Sequence, residues 1–149
     1  MKRSERLEPV QQAAARTERE RAERVGAAER HLTEMQQKLT ALEKYRGEYE
    51  SNFASRAGAG VDVIGMRDYQ TFLARLGEAL NQQRELVAMA QRALDAERSN
   101  WREAAQRAHV VESLAERWQT EETRAADRRD QQESDELSSQ RATAKERNP

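Results

Sequence analysis

A chain of 149 residues that is 36% charged, 36% hydrophobic and 5% aromatic cannot enclose a large globular core, and its scarcity of proline and glycine favours long helices. The 26 lysines and arginines are interleaved with 27 acidic residues, which predicts no face basic enough for nucleic acid and no direct membrane insertion. Without cysteine there is no disulfide framework and no thiolate metal site. With no long apolar run and no apolar core after Met1-Lys2-Arg3-Ser4-Glu5-Arg6, the sequence reads as that of a cytoplasmic protein.

Pro9 is tolerated in the first turn of a helix, so the first helix is expected over about residues 6–56. Its inward positions step by threes and fours: Leu7, Val10, Ala14, Thr17, Arg21, Val25, Ala28, Leu32, Met35, Leu39, Leu42, Arg46, Tyr49 and Phe53. That is a near-heptad stripe with one irregular step after Arg21, weakened by polar Thr17 and Arg21. A turn is expected over about 57–65, where Gly58 and Gly60 are followed by β-branched Val61, Val63 and Ile64. The spacing of Gly58, Gly60 and Gly65 fits neither common phosphate-binding motif.

A second helix, about 66–140, carries Tyr69, Leu73, Leu76, Leu80, Gln83, Val87, Ala90, Leu94, Glu97, Trp101, Ala104, Ala108, Val111, Ala115 and Trp118 at the same spacing. Residues paired across an antiparallel hairpin have numbers of nearly constant sum. Here Phe53 meets Tyr69, Leu42 meets Leu80 and Ala28 meets Leu94 at a sum of 122, whose midpoint falls in the glycine turn. The expected fold is all-α: two long helices in an antiparallel coiled-coil hairpin, monomeric alone, with a shared coil of about 75 Å. Beyond about Gln119 the second helix has no mate and should fray as a single-helix overhang, with a mobile tail over 141–149.

Neither His31 nor His109 has a second ligand near it, and the acidic pairs lie on helix surfaces without a pocket, so no catalytic residue, metal ligand or cofactor site is expected. Trp101 opposes Arg21, open to a cation–π contact or to ordinary packing. Tyr45, Phe72, Ala79, Leu86 and Met89 are apolar residues off the seam. They form either an exposed docking strip or a broader seam in which Tyr45 and Phe72 close over the turn.

The order Arg6-Leu7-Glu8-Pro9-Val10, Leu42-x-x-Tyr45-x-x-x-Tyr49, the glycine turn, Tyr69-x-x-Phe72-Leu73-x-x-Leu76, Gln82-Gln83, Trp101-Arg102 and Asp135-Glu136 resembles the flagellar export protein family FliJ over nearly the whole chain. The resemblance implies a non-enzymatic component of the flagellar type III export apparatus, peripheral at the inner face of the membrane and similar to the central stalk of rotary ATPases. It implies that the terminal end engages the hexameric export ATPase FliI, with Leu7, Val10, Arg124, Arg128 and Arg129 as the residues at that end. A surface near the turn would bind the cytoplasmic domain of the export gate FlhA through Leu42, Tyr45, Tyr49, Phe72, Leu76 and Ala79, and export chaperones are further partners. The family pattern has a glutamine at Lys38 and a histidine at Gln83, so the polar margin of that surface differs here. The rival readings are a passive coiled-coil scaffold without ATPase coupling and a nucleic-acid-binding hairpin, which the balanced charge disfavours. A continuous parallel homodimer would pass helix through Gly58 and Gly60 at about 1 kcal/mol for each glycine.

Overall fold

A computed structural model describes residues 1–147, and tail residues 148 and 149 lie outside the described residues. Two long helices pack against each other: α1 (Arg3–Ala57) and α2 (Val63–Arg147). The end of α1 and the start of α2 follow from the chemistry of five residues. Gly60 takes a positive φ of 100°, a conformation that side chains disfavour, and reverses the chain after α1. Asp62 then caps α2, its Oδ1 accepting the Gly65 N–H at 2.7 Å while its carbonyl accepts the Met66 N–H at 3.0 Å. Gly65 is part of that cap, because a Cβ there would sit 2.9 Å from both Asp62 Oδ1 and Val61 Cγ1.

The helices are longer than expected at three ends, each with a local cause. At the start of α2 the Asp62 cap replaces the later start near residue 66. At the start of α1 Pro9 is inside the helix, not in its first turn, because tertiary contacts of Arg3 and Ser4 with α2 hold an additional turn. At its far end α2 remains helical to Arg147, past the expected limit near 140. Lys145 and Arg147 complement the helix dipole there, and the Thr143 hydroxyl donates back to the Ser139 carbonyl at 3.0 Å.

Contacts divide the chain into two compact units. In Arg19–Glu103, buried Leu32, Met35, Ala90 and Leu94 form a core with Val25, Ala28 and Val87 packed on it. A sum of 122 pairs six of these: Leu32 with Ala90, Met35 with Val87, Ala28 with Leu94, and it sets Val25 opposite Glu97. Leu76 and Leu80 continue the burial towards the turn, Leu80 at 0% exposure. Gln83 takes a seam position without leaving its amide unsatisfied, donating to the Met35 carbonyl at 2.9 Å. The polar layer is less complete: Arg21 is half-buried and Glu97 Oε2 is buried without a hydrogen-bond partner. Among the described residues no cation–π contact joins Arg21 to Trp101, which is 36% exposed.

The other unit comprises Met1–Glu18 and the chain from Ala104. Its buried apolar residues are alanines, Ala104 and Ala115, so the helices meet over small side chains. Pairing extends further than expected: α2 is engaged as far as Glu122, and Ala125 is half-buried, before every residue from Ala126 to Arg147 is exposed.

Candidate functional site

All five phenylalanine and tyrosine rings gather beside the turn, because seam positions Tyr49, Phe53 and Tyr69 are aromatic there and Tyr45 and Phe72 flank them. Phe53 and Tyr69 stack with centroids 3.6 Å apart, and Tyr49 lies 5.6 Å from Tyr69 and 4.3 Å from Phe72. Tyr45 closes the series edge-on to Phe72 at 6.1 Å. Such pairs contribute about 0.5–1.5 kcal/mol each beyond the area they bury, so the cluster fastens the helices where the leucine core ends.

The cluster also presents a surface. Tyr45 is 49% exposed with half-buried Phe72 beside it, and α2 continues the apolar strip through half-buried Ala79 and exposed Leu86 and Met89. Of the six residues expected at a gate-binding surface, Tyr45 is exposed, Leu42, Tyr49, Phe72 and Ala79 are half-buried, and Leu76 is buried at 7% exposure. Leu76 is therefore part of the buried seam and not of the exposed surface. Of its expected polar margin, Lys38 is exposed and pairs with Glu34 at 3.5 Å, whereas Gln83 turns into the seam.

At the terminal end Leu7 is half-buried and Val10 is 49% exposed, whereas Arg124, Arg128 and Arg129 are exposed along α2. What sequence reasoning missed is a clasp. The Ser4 hydroxyl and backbone N–H donate to the two Glu122 carboxylate oxygens at 2.6 and 3.1 Å. A helix N-terminus leaves backbone N–H groups free, and here a carboxylate from the other helix satisfies one of them and meets the positive end of the α1 dipole. The Ser4 hydroxyl bond, then its N–H bond, hold the Glu122 carboxyl below the usual value of 4.5, with Lys2 and Arg3 adding to this against the opposing effect of desolvation. The Arg3 guanidinium lies 3.9 Å from the Trp118 ring centroid, so the cation–π contact found among the described residues is made by that tryptophan and not by Trp101. The available signal was Arg3 and Trp118, whose numbers sum to 121, one from the seam constant.

Among the described residues no group of three or more acidic or histidine side chains could hold a metal ion, and no helix is long and apolar enough to cross a membrane. Compared with known proteins, the flagellar FliJ protein family matches residues 2–147. The chain belongs to that family. Among FliJ relatives, the flagellar FliJ protein of Escherichia coli (strain K12) is 30% identical over 121 residues, covering 81% of this chain and 82% of the relative. That of Salmonella typhi is 27% identical over 139 residues, covering 93% and 95%. No solved structure matches the chain. The FliJ match spans both helices, the aromatic cluster and the clasp.

Proposed function

We propose that this chain is a non-enzymatic, cytoplasmic component of the flagellar type III export apparatus, peripheral at the flagellar base, that links the hexameric export ATPase FliI to the export gate FlhA. The observation that carries the reading is the exposed Tyr45 ring lying edge-on to Phe72, at positions where the family resemblance expects the gate to bind. An aromatic ring held by packing loses little freedom on binding, which suits it to anchor a protein partner. Leu42, Tyr49 and Ala79 complete the surface, and Leu76 lies in the buried seam. The terminal end, with Leu7, Val10, Arg124, Arg128 and Arg129, engages the ATPase, and chaperones bring export substrates to the same assembly.

A passive scaffold is the second reading, favoured by the 4.3 Å contact of Phe72 with Tyr49, which also makes the aromatics a lid over the seam. Tyr45→Ala separates the two. As a gate anchor its loss weakens binding to the gate's cytoplasmic domain by about thirtyfold, equivalent to ~2 kcal/mol, with melting nearly unchanged. As a lid its loss lowers melting and leaves affinity intact. For the terminal end, truncation after Ala125 removes Arg128 and Arg129 while keeping the Ser4–Glu122 clasp. The coupling reading expects ATPase stimulation to disappear while the remaining helices stay folded, and stimulation at the full-length level refutes it.

A further inference from the structure

In the unit that contains the terminal end, charge is sorted by side although it is balanced along the sequence. On α1 the residues one position before Leu7, Val10, Ala14 and Thr17 are Arg6, Pro9, Ala13 and Arg16. On α2 those before Ala108, Val111, Ala115 and Trp118 are Arg107, Val110, Leu114 and Arg117. The residues one position after the same seam residues are Glu8, Gln11, Ala15 and Glu18 on α1, and His109, Glu112, Glu116 and Gln119 on α2. Each residue turns a helix by about 100°, and in an antiparallel pair the preceding positions of both helices fall on one side of the seam. At these positions one side carries four arginines and no carboxylate, the other four glutamates and no lysine or arginine; only where the unit ends does Glu103, before Ala104, place a carboxylate on the arginine side.

Each side has a groove. The first, with a cavity of about 250 Å³, is floored by Val10, Ala13, Ala14, Ala104 and Val111, and Arg107 is its only charged lining residue. On the second, the charged lining residues are Glu8, Glu18 and Glu112. Val10 and Val110 are 49% and 57% exposed, and among the described residues none of the four arginines takes part in an ion pair.

We propose that the basic, valine-lined groove docks an amphipathic helix of a protein partner whose apolar stripe is flanked by aspartate and glutamate. Alanines in the floor allow a close approach of backbones. Arg6 to Arg16, and Arg107 to Arg117, each span about 15 Å, so the arginines frame roughly three turns of the incoming helix. Its carboxylates complete the unpaired arginines on this side and are repelled by the glutamates on the other, which fixes the side it occupies. The apolar floor and the absence of an aromatic ring in the lining favour a protein over a single-stranded nucleic acid, which would stack its bases. The inference refines the terminal-end reading and rests on it for the partner's identity, while the chemistry of the groove stands without it.

The test uses the full chain and two fluorescent helical peptides with the same leucine stripe, one flanked by glutamate and one by lysine, read by anisotropy. The glutamate peptide binds, more weakly as salt is raised, and the lysine peptide does not compete with it. Arg16→Glu combined with Arg107→Glu weakens binding about tenfold or more, and so does Val10→Asp, with helicity and melting retained in each. Equal binding of both peptides, or an affinity that the folded variants leave unchanged, overturns the proposal. So does binding of an oligothymidine that the arginine variant loses and Val10→Asp retains, which would make the face a nucleic-acid site. Self-association of the chain that Arg107→Glu abolishes would assign the groove to a second copy instead. Loss of ATPase stimulation bears only on the partner's identity, so the two readings fail separately.

Discussion

The two compact units are made from the same two helices and the same heptad spacing, yet they are packed differently. In Arg19–Glu103 the seam is filled by leucine, methionine and aromatic side chains, and Leu80 is completely enclosed. In the unit formed by Met1–Glu18 and the chain from Ala104, alanines occupy the buried positions, a cavity of about 250 Å³ opens beside them, and Val10 and Val110 remain exposed. A heptad stripe specifies which residues face the partner helix, but the size of those residues decides how much area is buried and how much is left for another molecule. One unit fills its seam with large side chains, the other leaves apolar surface exposed beside alanines.

The contrast can be broken most sharply at Leu80. Truncation to alanine removes a fully enclosed side chain and leaves a cavity, so Leu80→Ala should cost about 2–5 kcal/mol in chemical denaturation. A loss below about 1 kcal/mol would mean that this core is as loose as the alanine seam.

A smaller effect, of opposite sign in the two units, comes from enlarging an alanine. Ala90 is 3% exposed within a filled core, so Ala90→Leu should overpack it and cost about 1–3 kcal/mol. Ala14 lines the open groove, and Ala14→Leu should stabilise by about 0.5–2 kcal/mol. If both substitutions change the melting temperature in the same direction, the difference in packing is not real.

The smallest effect concerns the clasp. Glu122 has a folded-state pKa depressed by Ser4, so its contribution is fully present above the ordinary carboxyl value of 4.5 and is lost as pH falls through the lower folded value. In Ser4→Ala the Glu122 titration, followed by NMR, should move up towards that ordinary value. The wild-type chain should melt above the variant at neutral pH, and the gap should close below pH 4.5. A gap that is constant with pH would show that Ser4 acts through helix capping alone.

How much of this was legible in the sequence differs from place to place. The seam was, because apolar side chains recurring every three or four residues leave a helix only one way to bury them, and Leu32, Met35, Leu80, Ala90 and Leu94 are buried as that spacing requires. The glycine turn was also legible, since Gly60 alone could take the positive φ found there without steric strain. The aromatic surface was readable as residues off the seam, although only packing showed that Tyr45 stays exposed while Leu76 is buried.

The sequence by itself determined the two helices, their antiparallel pairing and the family, because periodicity and turn chemistry are local properties repeated along the chain. Tertiary structure decided how early α1 begins, which arginine meets which tryptophan, and which sides of the seam carry which charge. Those outcomes depend on residues far apart in number: Ser4 and Glu122 meet across 118 positions, and that contact adds to the local Lys2–Glu5 bond in holding the first turn of α1. The interleaved charges of Arg6, Glu8, Arg16 and Glu18 look neutral when read in order. Only the rotation of each residue about the helix axis, combined with the second helix laid alongside, separates them into a basic groove and an acidic one.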